Sequence, residues 1–215
     1  MKTIPQNLAL EPALSALNWT DEAMEKFTPL ESLPEPIDCK PGCHYCCFNQ
    51  PVVTPPEALL IGHHVDQTFT GEQKRALNER IRKIRKKTSG KPLDEILMMR
   101  HELPCVFLRK SMCMVYKVRP AVCRTCSSTS AAHCETIFES RNHRARLRCY
   151  QQIRDIFHTV HSRLIDRCRE MGCQSDALQI TEAMENYFRH PAPIDAWLQG
   201  KTVFHLDKMP LKSDG

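Results

Sequence analysis

The sequence predicts a mainly α-helical single domain with an irregular cysteine-rich centre that includes a short β-ribbon. Two observations support this prediction. Apolar residues recur at helical spacing over most of the chain, and eight of the twelve cysteines fall into two short clusters where that spacing stops. The length of 215 residues, with 41% hydrophobic and 26% charged residues, suits one sizeable core of ordinary composition.

The N-terminal segment, residues 1–38, is predicted to hold one short helix. Thr20 is a candidate N-cap followed by acidic residues, so the helix spans Thr20–Phe27, and prolines between residues 29 and 36 form an extended connection. Residues 1–19 contain one lysine and no apolar stretch typical of a signal peptide. No run in the chain approaches the roughly 18 consecutive apolar residues of a membrane span. We therefore expect a cytoplasmic protein with no membrane partner.

Helices are also predicted inside the cysteine-cluster region, residues 39–126. Thr54-Pro-Pro-Glu57 is a strong helix start, because it combines a hydroxyl cap, first-turn prolines and a capping-box glutamate. Apolar residues at helical spacing continue into a second helix with a strongly basic face. The predicted helices of this region run from Pro55 to His64 or Gln67, from Gly71 to about Lys87, and from Leu93 to Met99.

Short apolar runs with β character separate the later cysteines. Val106–Leu108 and Cys113–Tyr116 predict two small strands or an irregular ribbon. Arg119-Pro120 starts a turn or a helical turn that carries Cys123 and Cys126.

Residues 127–200 are predicted to form the C-terminal helices of the same domain, and residues 201–215 a tail. A long apolar stripe from Ala131 to Met171 breaks near residues 140–143, which divides it into two helices, and Gly172 is a good C-cap. Two shorter helices follow, at Ser175–Phe188 and Ile194–Leu198.

Cysteine spacing is the most informative feature of the chain. The first cluster is Cys39-Lys-Pro-Gly-Cys43-His-Tyr-Cys46-Cys47, in which Gly42 allows a tight turn. The second is a C-x7-C-x9-C-x2-C series. Thiols two or three residues apart on a turn can converge on one soft metal ion or iron–sulfur cluster, and in a reducing compartment such clusters usually bind metal. The predicted metal ligands are Cys39, Cys43, Cys46, Cys47, Cys105, Cys113, Cys123 and Cys126.

The adjacent pair Cys46-Cys47 leaves three interpretations open, because neighbouring side chains diverge. One thiol ligates while the other packs, both serve a multinuclear cluster, or each belongs to a different metal. Eight thiols can make two tetrahedral zinc sites or one iron–sulfur cluster with thiols left over, and spacing alone does not choose between them. We favour an iron–sulfur cluster over zinc, because an adjacent pair and seven or eight thiols suit a multinuclear centre.

The other cysteines and the histidines carry weaker signals. Four cysteines lack paired spacing and lie in or beside predicted helices, so we expect them in the core: Cys134, Cys149, Cys168 and Cys173. His44 is a candidate to replace a thiol through an imidazole nitrogen, although a solvent-facing side chain is the simpler expectation. The pairs His63-His64 and His158/His161 have no third ligand in sequence to complete a metal site.

The combined cysteine motifs resemble the YkgJ-like cysteine-cluster family, described as a zinc- or iron-chelating domain. The motifs are Cys39–Cys47, Pro104-Cys105-Val-Phe-Leu108, Cys113-Met-Val-Tyr116 and Arg119-Pro-Ala-Val-Cys123-Arg124. The resemblance covers residues 39–126 and implies a metal-binding role for seven cysteines. The opening x3 spacing is longer than the commoner x2, and Val106 follows Cys105 where proline is usual. Cys126 is an additional thiol.

A related cysteine cluster occurs in the flagellin lysine methylases, which are thought to use an iron–sulfur cluster in methyl transfer. This resemblance favours iron over zinc, although those enzymes are larger and this chain has no separate cofactor-binding motif. The sequence contains no acid–base pair that marks a catalytic site, so it leaves open whether the protein is an enzyme. A redox or group-transfer role, with a protein redox partner, is the corresponding expectation.

Three residues beside the second cluster are predicted to support the metal. Arg119 and Arg124 flank Cys123 and would stabilise thiolates or an anionic cluster by charge and hydrogen bonding. Tyr116 is a candidate hydrogen-bond donor to a cluster sulfur, although packing in the core explains it equally well.

The basic helix at residues 74–87 supports an alternative function. Eight lysines and arginines on it, together with Arg141, Arg144, Arg146 and Arg148, could follow the phosphates of a nucleic acid in a zinc-stabilised binding module. A solvated helix face is favoured over this alternative, because base-reading aromatic residues are absent nearby. The formal net charge of +5 permits an acidic partner without requiring one.

Overall fold

The computed structural model describes residues 7–27, 33–140, 145 and 147–206, and within them the predicted mainly α-helical fold is confirmed. The helices are α1 (Asn7–Phe27), α2 (Pro55–Thr68), α3 (Gly71–Thr88), α4 (Leu93–Met98), α5 (Ala121–Thr125), α6 (Ala131–Glu139), α7 (Gln151–Glu170), α8 (Ile180–Arg189) and α9 (Pro193–Leu198). The strands are β1 (Val52–Val53), β2 (Leu108–Arg109), β3 (Met112–Cys113) and β4 (Leu178–Gln179). They pair antiparallel as β1–β4 and β2–β3.

The hydrophobic core lies where the longer helices meet. Helix α1 packs against α2, α5 and α7, and α8 packs against α2 and α3. The largest fully buried side chains are Trp197, Phe107 and Phe204. The Trp197 indole N–H donates to the carbonyl oxygen of Gln174 at 3.0 Å, so its single polar atom is satisfied inside the core.

Helix α1 is longer than the predicted Thr20–Phe27. It begins at Asn7, because Ala9, Ala13 and Leu17 form an apolar stripe that is buried against the core. Thr20 is an interior residue of the helix whose hydroxyl donates to the Ala16 carbonyl at 2.7 Å, and so it is not an N-cap. The predicted connection at residues 29–32 lies outside the described residues.

Glu57 links the start of α2 to the start of α5 by hydrogen bonds. Its carboxylate accepts a hydrogen bond from the Thr54 backbone N–H at 2.8 Å, as the predicted capping box requires, and a second from the Thr54 hydroxyl at 2.8 Å. The other carboxylate oxygen accepts from the backbone N–H of Ala121 at 2.8 Å, the first residue of α5. Glu57 is buried, so these three donors compensate for the removal of its charge from water.

The β1–β4 pair corrects the prediction of a helix beginning at Ser175. Val52 and Val53 pair with Gln179 and Leu178, and α8 begins only at Ile180. Each strand has two residues, too few for an alternating pattern to appear in the sequence.

The C-terminal half follows the prediction of two helices separated by a break. Helix α6 ends at Glu139 and α7 begins at Gln151, while residues 141–144 and 146 lie outside the described part of the chain, with Arg141, Arg144 and Arg146 among them. Gly172 follows α7 with a φ of +64°, as its predicted capping role requires. Residues 207–215 of the predicted tail are also outside it. No helix in the described residues is long and apolar enough to cross a membrane.

Candidate metal centre

A short 3-10 helix at Tyr45–Phe48 carries Cys46 and Cys47. The turn before it is closed by a hydrogen bond from the Cys43 N–H to the Lys40 carbonyl at 3.0 Å, with Gly42 at a φ of +89°. Because a 3-10 helix has three residues per turn, the side chains of Cys46 and Cys47 leave the backbone about a third of a turn apart.

The backbone joins the two cysteine clusters directly. The N–H of Cys105 donates to the carbonyl oxygen of Cys47 at 2.7 Å. Strands β2 and β3 then form a hairpin that pairs Cys113 with Leu108, and the turn residues Lys110 and Ser111 have the positive φ values of a tight two-residue hairpin turn. This hairpin returns Cys113 to the neighbourhood of Cys105.

Helix α5 brings the last two predicted ligands to the same place. Cys123 lies on α5 and Cys126 is its C-cap residue. The Glu57 carboxylate holds the helix start through Ala121, as described above. One buried side chain of α2 thus positions α5, and with it Cys123.

Cys39 is held beside the start of α6. Its sulfur accepts a hydrogen bond from the Ser128 N–H at 3.3 Å. The neighbouring Asp38 donates its own N–H to the Ser128 carbonyl at 2.9 Å, and its carboxylate accepts from the N–H of Ala131 at 2.8 Å. Cys134 lies on the first turns of α6, so this arrangement brings it close to the first cluster.

The pKa of Cys39 shows which thiols lie near it. Burial raises this pKa to about 11, although part of the side chain is exposed to solvent, and the Ser128 amide lowers it. Negative charge on Cys43, Cys46 or Cys134 raises it further. The charge that reaches Cys39 from Cys134 comes from a thiol outside the two clusters.

The pKa values of Cys105 and Cys123 define a second set of neighbours. Burial raises the pKa of Cys105 to about 12, and charge on Cys113 or Cys46 adds to the increase. Burial also raises the pKa of Cys123 well above its usual value, and Cys105 is the first of the charges that add to it. Cys46 thus lies near thiols of both sets.

Cys46 is also the centre of a thiol hydrogen-bond network. The thiols of Cys126 and Cys47 donate to its sulfur, and these hydrogen bonds lower the pKa of Cys46 while raising those of the two donors. The contact brings Cys126 of the second cluster against Cys46 of the first.

The thiols are neighbours without being at ligand distance. Among the described residues, no three His, Cys, Asp or Glu side chains converge closely enough to hold a metal ion as they are placed. Rotation between staggered χ1 positions moves a cysteine sulfur without moving its backbone. The donor set fits zinc or an iron–sulfur cluster, since both are bound by thiolates. Ser127 beside Cys126 has a buried hydroxyl with no hydrogen-bond partner among the described residues.

The three residues predicted to support the metal have different surroundings. Arg119 stacks on the exposed Tyr116 ring, with 3.9 Å from its guanidinium carbon to the ring centroid. Burial raises the pKa of Cys113 and the Arg119 charge lowers it, so Arg119 lies near that thiol. Arg124 is buried in contacts with Asp21 and with the carbonyl oxygens of Arg119 and Lys117.

Arg80 is a further cation at the centre that sequence reasoning placed only on the basic helix. Its guanidinium donates to the Val106 carbonyl at 2.8 Å and to the Met114 sulfur at 3.2 Å. Its charge lowers the pKa of Cys105, which burial raises. In the sequence, Arg80 shares the apolar face of its helix with Leu77 and Ile84, which indicates that it points towards the core. Only the tertiary structure shows that this face packs against residues 105–114.

Cys134 is the thiol that sequence reasoning assigned to the core alone. It is 8% exposed, as a core residue would be, yet it lies close enough to Cys39 and Cys43 to raise both of their pKa values, which burial raises first. The sequence signal for this position was Ser130, an N-cap residue that starts α6 soon after Cys126. Its hydroxyl accepts from the His133 N–H at 3.1 Å.

The other unassigned residues lie elsewhere. Cys168 and Cys173 are buried in the main core, and Cys149 accepts a hydrogen bond from Arg154 at 3.0 Å. His44 stacks on Tyr45 and contacts the Gly42 carbonyl at 3.1 Å. His158 and His161 contact the Phe157 ring.

A helical body that presents clustered thiols from a 3-10 helix, a hairpin and a short helix is a cysteine-rich metal-binding domain. The model of the CxxCxxCC family, described as "Putative zinc- or iron-chelating domain", matches residues 38–149. The match covers about half of the chain, and the chain belongs to this YkgJ-type family. No curated protein and no solved structure shows significant similarity to the chain.

Proposed function

We propose that the protein holds a multinuclear metal centre, an iron–sulfur cluster in the first instance and zinc as the alternative, through the thiols of its two cysteine clusters. The hydrogen bond from the Cys105 N–H to the Cys47 carbonyl is the observation that carries the proposal, because it unites clusters that are almost sixty residues apart in sequence. The family match supports metal binding itself.

The finer role proposed for the centre is redox or group transfer in the cytoplasm, with a protein redox partner. An iron–sulfur cluster, when bound, supplies electron transfer or group-transfer chemistry. The chain would contribute positive charge from Arg80 beside Cys105 and from Arg119 beside Cys113, which stabilises thiolates against protonation. The Ser127 hydroxyl, which has no hydrogen-bond partner within the described part of the chain, would donate to a cluster sulfur.

Metal and sulfide analysis tests this proposal. The protein is purified anaerobically, and iron, zinc and acid-labile sulfide are measured per chain together with the visible spectrum. A brown protein with iron and sulfide in equal amounts supports the cluster, whereas a colourless one with about two zinc ions supports the zinc alternative. A wild-type protein that binds neither metal contradicts both.

Two cysteine variants make the analysis specific for the site. Cys105→Ser removes a buried thiol of the second cluster and is expected to lower the metal content. Cys149→Ser is the matched control, because this thiol is bound by Arg154 and belongs to neither cluster. Equal metal loss in the two variants would contradict the assignment of the centre.

The nucleic-acid alternative has less support, because contacts within the chain engage most of the basic helix. Three cations form ion pairs with neighbouring acids: Lys74 with Asp66, Lys83 with Glu79, and Lys87 with Glu102. Arg85 is bound to Glu185 at 2.8 Å, and Arg80 faces the cysteine centre. Salt-dependent binding to generic DNA or RNA would support the alternative, and no binding at low salt would remove it.

A further inference from the structure

The β2–β3 hairpin has an inner face and an outer face. Leu108 pairs with Cys113, and both are partly buried against the hydrophobic core. Arg109 pairs with Met112, and both side chains are exposed. Because successive residues of a strand point to opposite faces, the second pair lies on the face turned away from the core. The hairpin that carries the candidate ligand Cys113 therefore also presents a surface to solvent beside the centre.

Positive charge is concentrated on this part of the chain. Residues 103–134 contain five lysines and arginines and no aspartate or glutamate. Four of the five lie on the hairpin or shortly after it: Arg109, Lys110, Lys117 and Arg119. Within the described part of the chain, none of these four forms an ion pair. Their charges are thus available to an acidic group from outside the chain.

Neighbouring elements add positive charge to this surface instead of neutralising it. Burial lowers the pKa of the Arg80 guanidinium on α3, and the charge of Arg109 lowers it further. Burial also lowers the pKa of His64 on α2, and the charge of Lys117 adds to that decrease. Cations therefore lie near other cations here, since an acidic neighbour would have the opposite effect. Several cations of α3 differ, because acids of the chain itself form ion pairs with them.

Two large apolar side chains lie among these cations. Met112 is 55% exposed and Tyr116 is 60% exposed, so both leave apolar area in water that a partner can cover. The Arg119 guanidinium stacks on one face of the Tyr116 ring and donates to the Tyr116 carbonyl at 3.1 Å, which holds the ring in place. Aromatic residues, methionine and arginine are enriched in protein–protein interfaces. We call the following five residues the hairpin surface: Arg109, Lys110, Met112, Tyr116 and Lys117.

We infer that the hairpin surface is the docking site for an acidic protein partner of the metal centre. Carboxylates of the partner pair with Lys110 and Lys117, and its apolar side chains cover Met112 and Tyr116. The inference rests on the proposed function and deepens it, because it states which kind of protein binds and where. A nucleic acid fits less well, since Arg119 occupies one face of the Tyr116 ring and single strands stack on several aromatic faces. The flexible thioether of Met112 suits a protein contact.

Binding of a labelled acidic peptide tests the inference. The probe is a fluorescein-labelled peptide of aspartate and leucine residues, and its binding to the anaerobically purified, metal-containing protein is followed by fluorescence anisotropy. We expect binding that weakens as salt rises, because exposed charge pairs are screened. The same peptide with lysine in place of aspartate should not bind. Labelled oligothymidine of equal charge should bind about tenfold more weakly than the acidic peptide, since it lacks apolar side chains for Met112 and Tyr116.

Matched charge reversals locate the binding site of the peptide. Lys110→Glu combined with Lys117→Glu should lower the affinity for the acidic peptide by about tenfold, and Met112→Ser should lower it by about threefold. Arg82→Glu combined with Lys86→Glu is the control, because it changes the net charge equally on exposed positions of α3 and should leave the affinity unchanged. Every substituted side chain is exposed, so the variants should fold and keep the metal content of the wild type. Circular dichroism and metal analysis check both.

Three results overturn the inference while leaving metal binding intact. The acidic peptide fails to bind a protein that contains metal. The α3 variant loses as much affinity as the hairpin variant, which would make the attraction a property of net charge alone. Oligothymidine binds more tightly than the peptide and loses affinity in the hairpin variant, which would assign the surface to nucleic acid. A wild-type protein that holds neither iron nor zinc contradicts the proposed function itself, so the two failures are distinguishable.

Discussion

The helical body and the cysteine centre are stabilised by different means. The body consists of long helices around side chains such as Trp197 and Phe204, which are fully removed from water. The centre consists of a four-residue 3-10 helix, two-residue strands and the five-residue helix α5. Elements of this length have little stability of their own. The body can therefore fold by burial of apolar surface, whereas the centre depends on contacts with the body and, as we propose, on bound metal.

Loss of core packing gives the largest expected effect and should act on the body. Trp197→Ala leaves a cavity and removes the hydrogen bond to Gln174, so the free energy of unfolding should fall by about 3–5 kcal/mol. Urea denaturation measures this change. The folded fraction should keep its metal content, and a loss of metal at unchanged stability would contradict separate stabilisation of the body and the centre.

Glu57 connects the two regions, so its removal should affect both. Glu57→Ala leaves the backbone N–H groups of Thr54 and Ala121 without an acceptor, and the free energy of unfolding should fall by roughly 2–3 kcal/mol. Because α5 carries Cys123, metal content should fall as well. Glu57→Gln retains one acceptor oxygen and should lie between the wild type and the alanine variant. Equal metal content in all three proteins would contradict the coupling.

Gly62 tests the packing of the body without approaching the thiols. A Cβ at this position would lie 2.6 Å from the Tyr187 ring, so Gly62→Ala should lower the free energy of unfolding by about 1–3 kcal/mol. Gly71→Ala is the control, since its Cβ would meet only the end of the Arg75 side chain at 3.6 Å. Thermal unfolding of both variants measures the difference. Similar melting temperatures would show that Tyr187 moves aside without cost.

Substitution of Gly42 should give the smallest effect, and it should act on the cysteine centre alone. Its φ of +89° is unfavourable for alanine, and open space surrounds it, so Gly42→Ala should cost about 1 kcal/mol by backbone strain alone. We expect this cost in metal affinity, about a fivefold loss measured by competition with a chelator. Gly90→Ala carries the same kind of strain at a φ of +73°, outside the cysteine clusters, and should leave metal affinity unchanged.

The same contrast explains which features the sequence predicted. Helix α2 was predictable because Thr54 and Glu57 are neighbours along the chain, and their capping contacts are local. Three other contacts join residues that are distant in sequence, and so they leave no local pattern. They are the backbone hydrogen bond from Cys105 to Cys47, the β1–β4 pair and the approach of Arg80 to Cys105.

Candidate ligands follow the same rule. Cysteine spacing identified the two clusters because ligands two or three residues apart share one turn. Cys134 has no such partner, and its approach to Cys39 depends on Asp38 and Ser128 bridging the loop to α6. The N-terminal extension of α1 was missed for another reason, since Pro12 lies inside the helix and interrupts the expected helical pattern.

Hydrogen exchange in the metal-loaded and metal-free protein tests most directly the claim that bound metal stabilises the cysteine centre and packing stabilises the helical body. Both samples are kept reduced, and exchange is measured by mass spectrometry. We predict that metal removal strips protection from residues 39–47 and 105–126 while amides of α1, α2, α7 and α8 keep theirs. Equal loss of protection throughout the chain, or no change in the cysteine clusters, would contradict the claim.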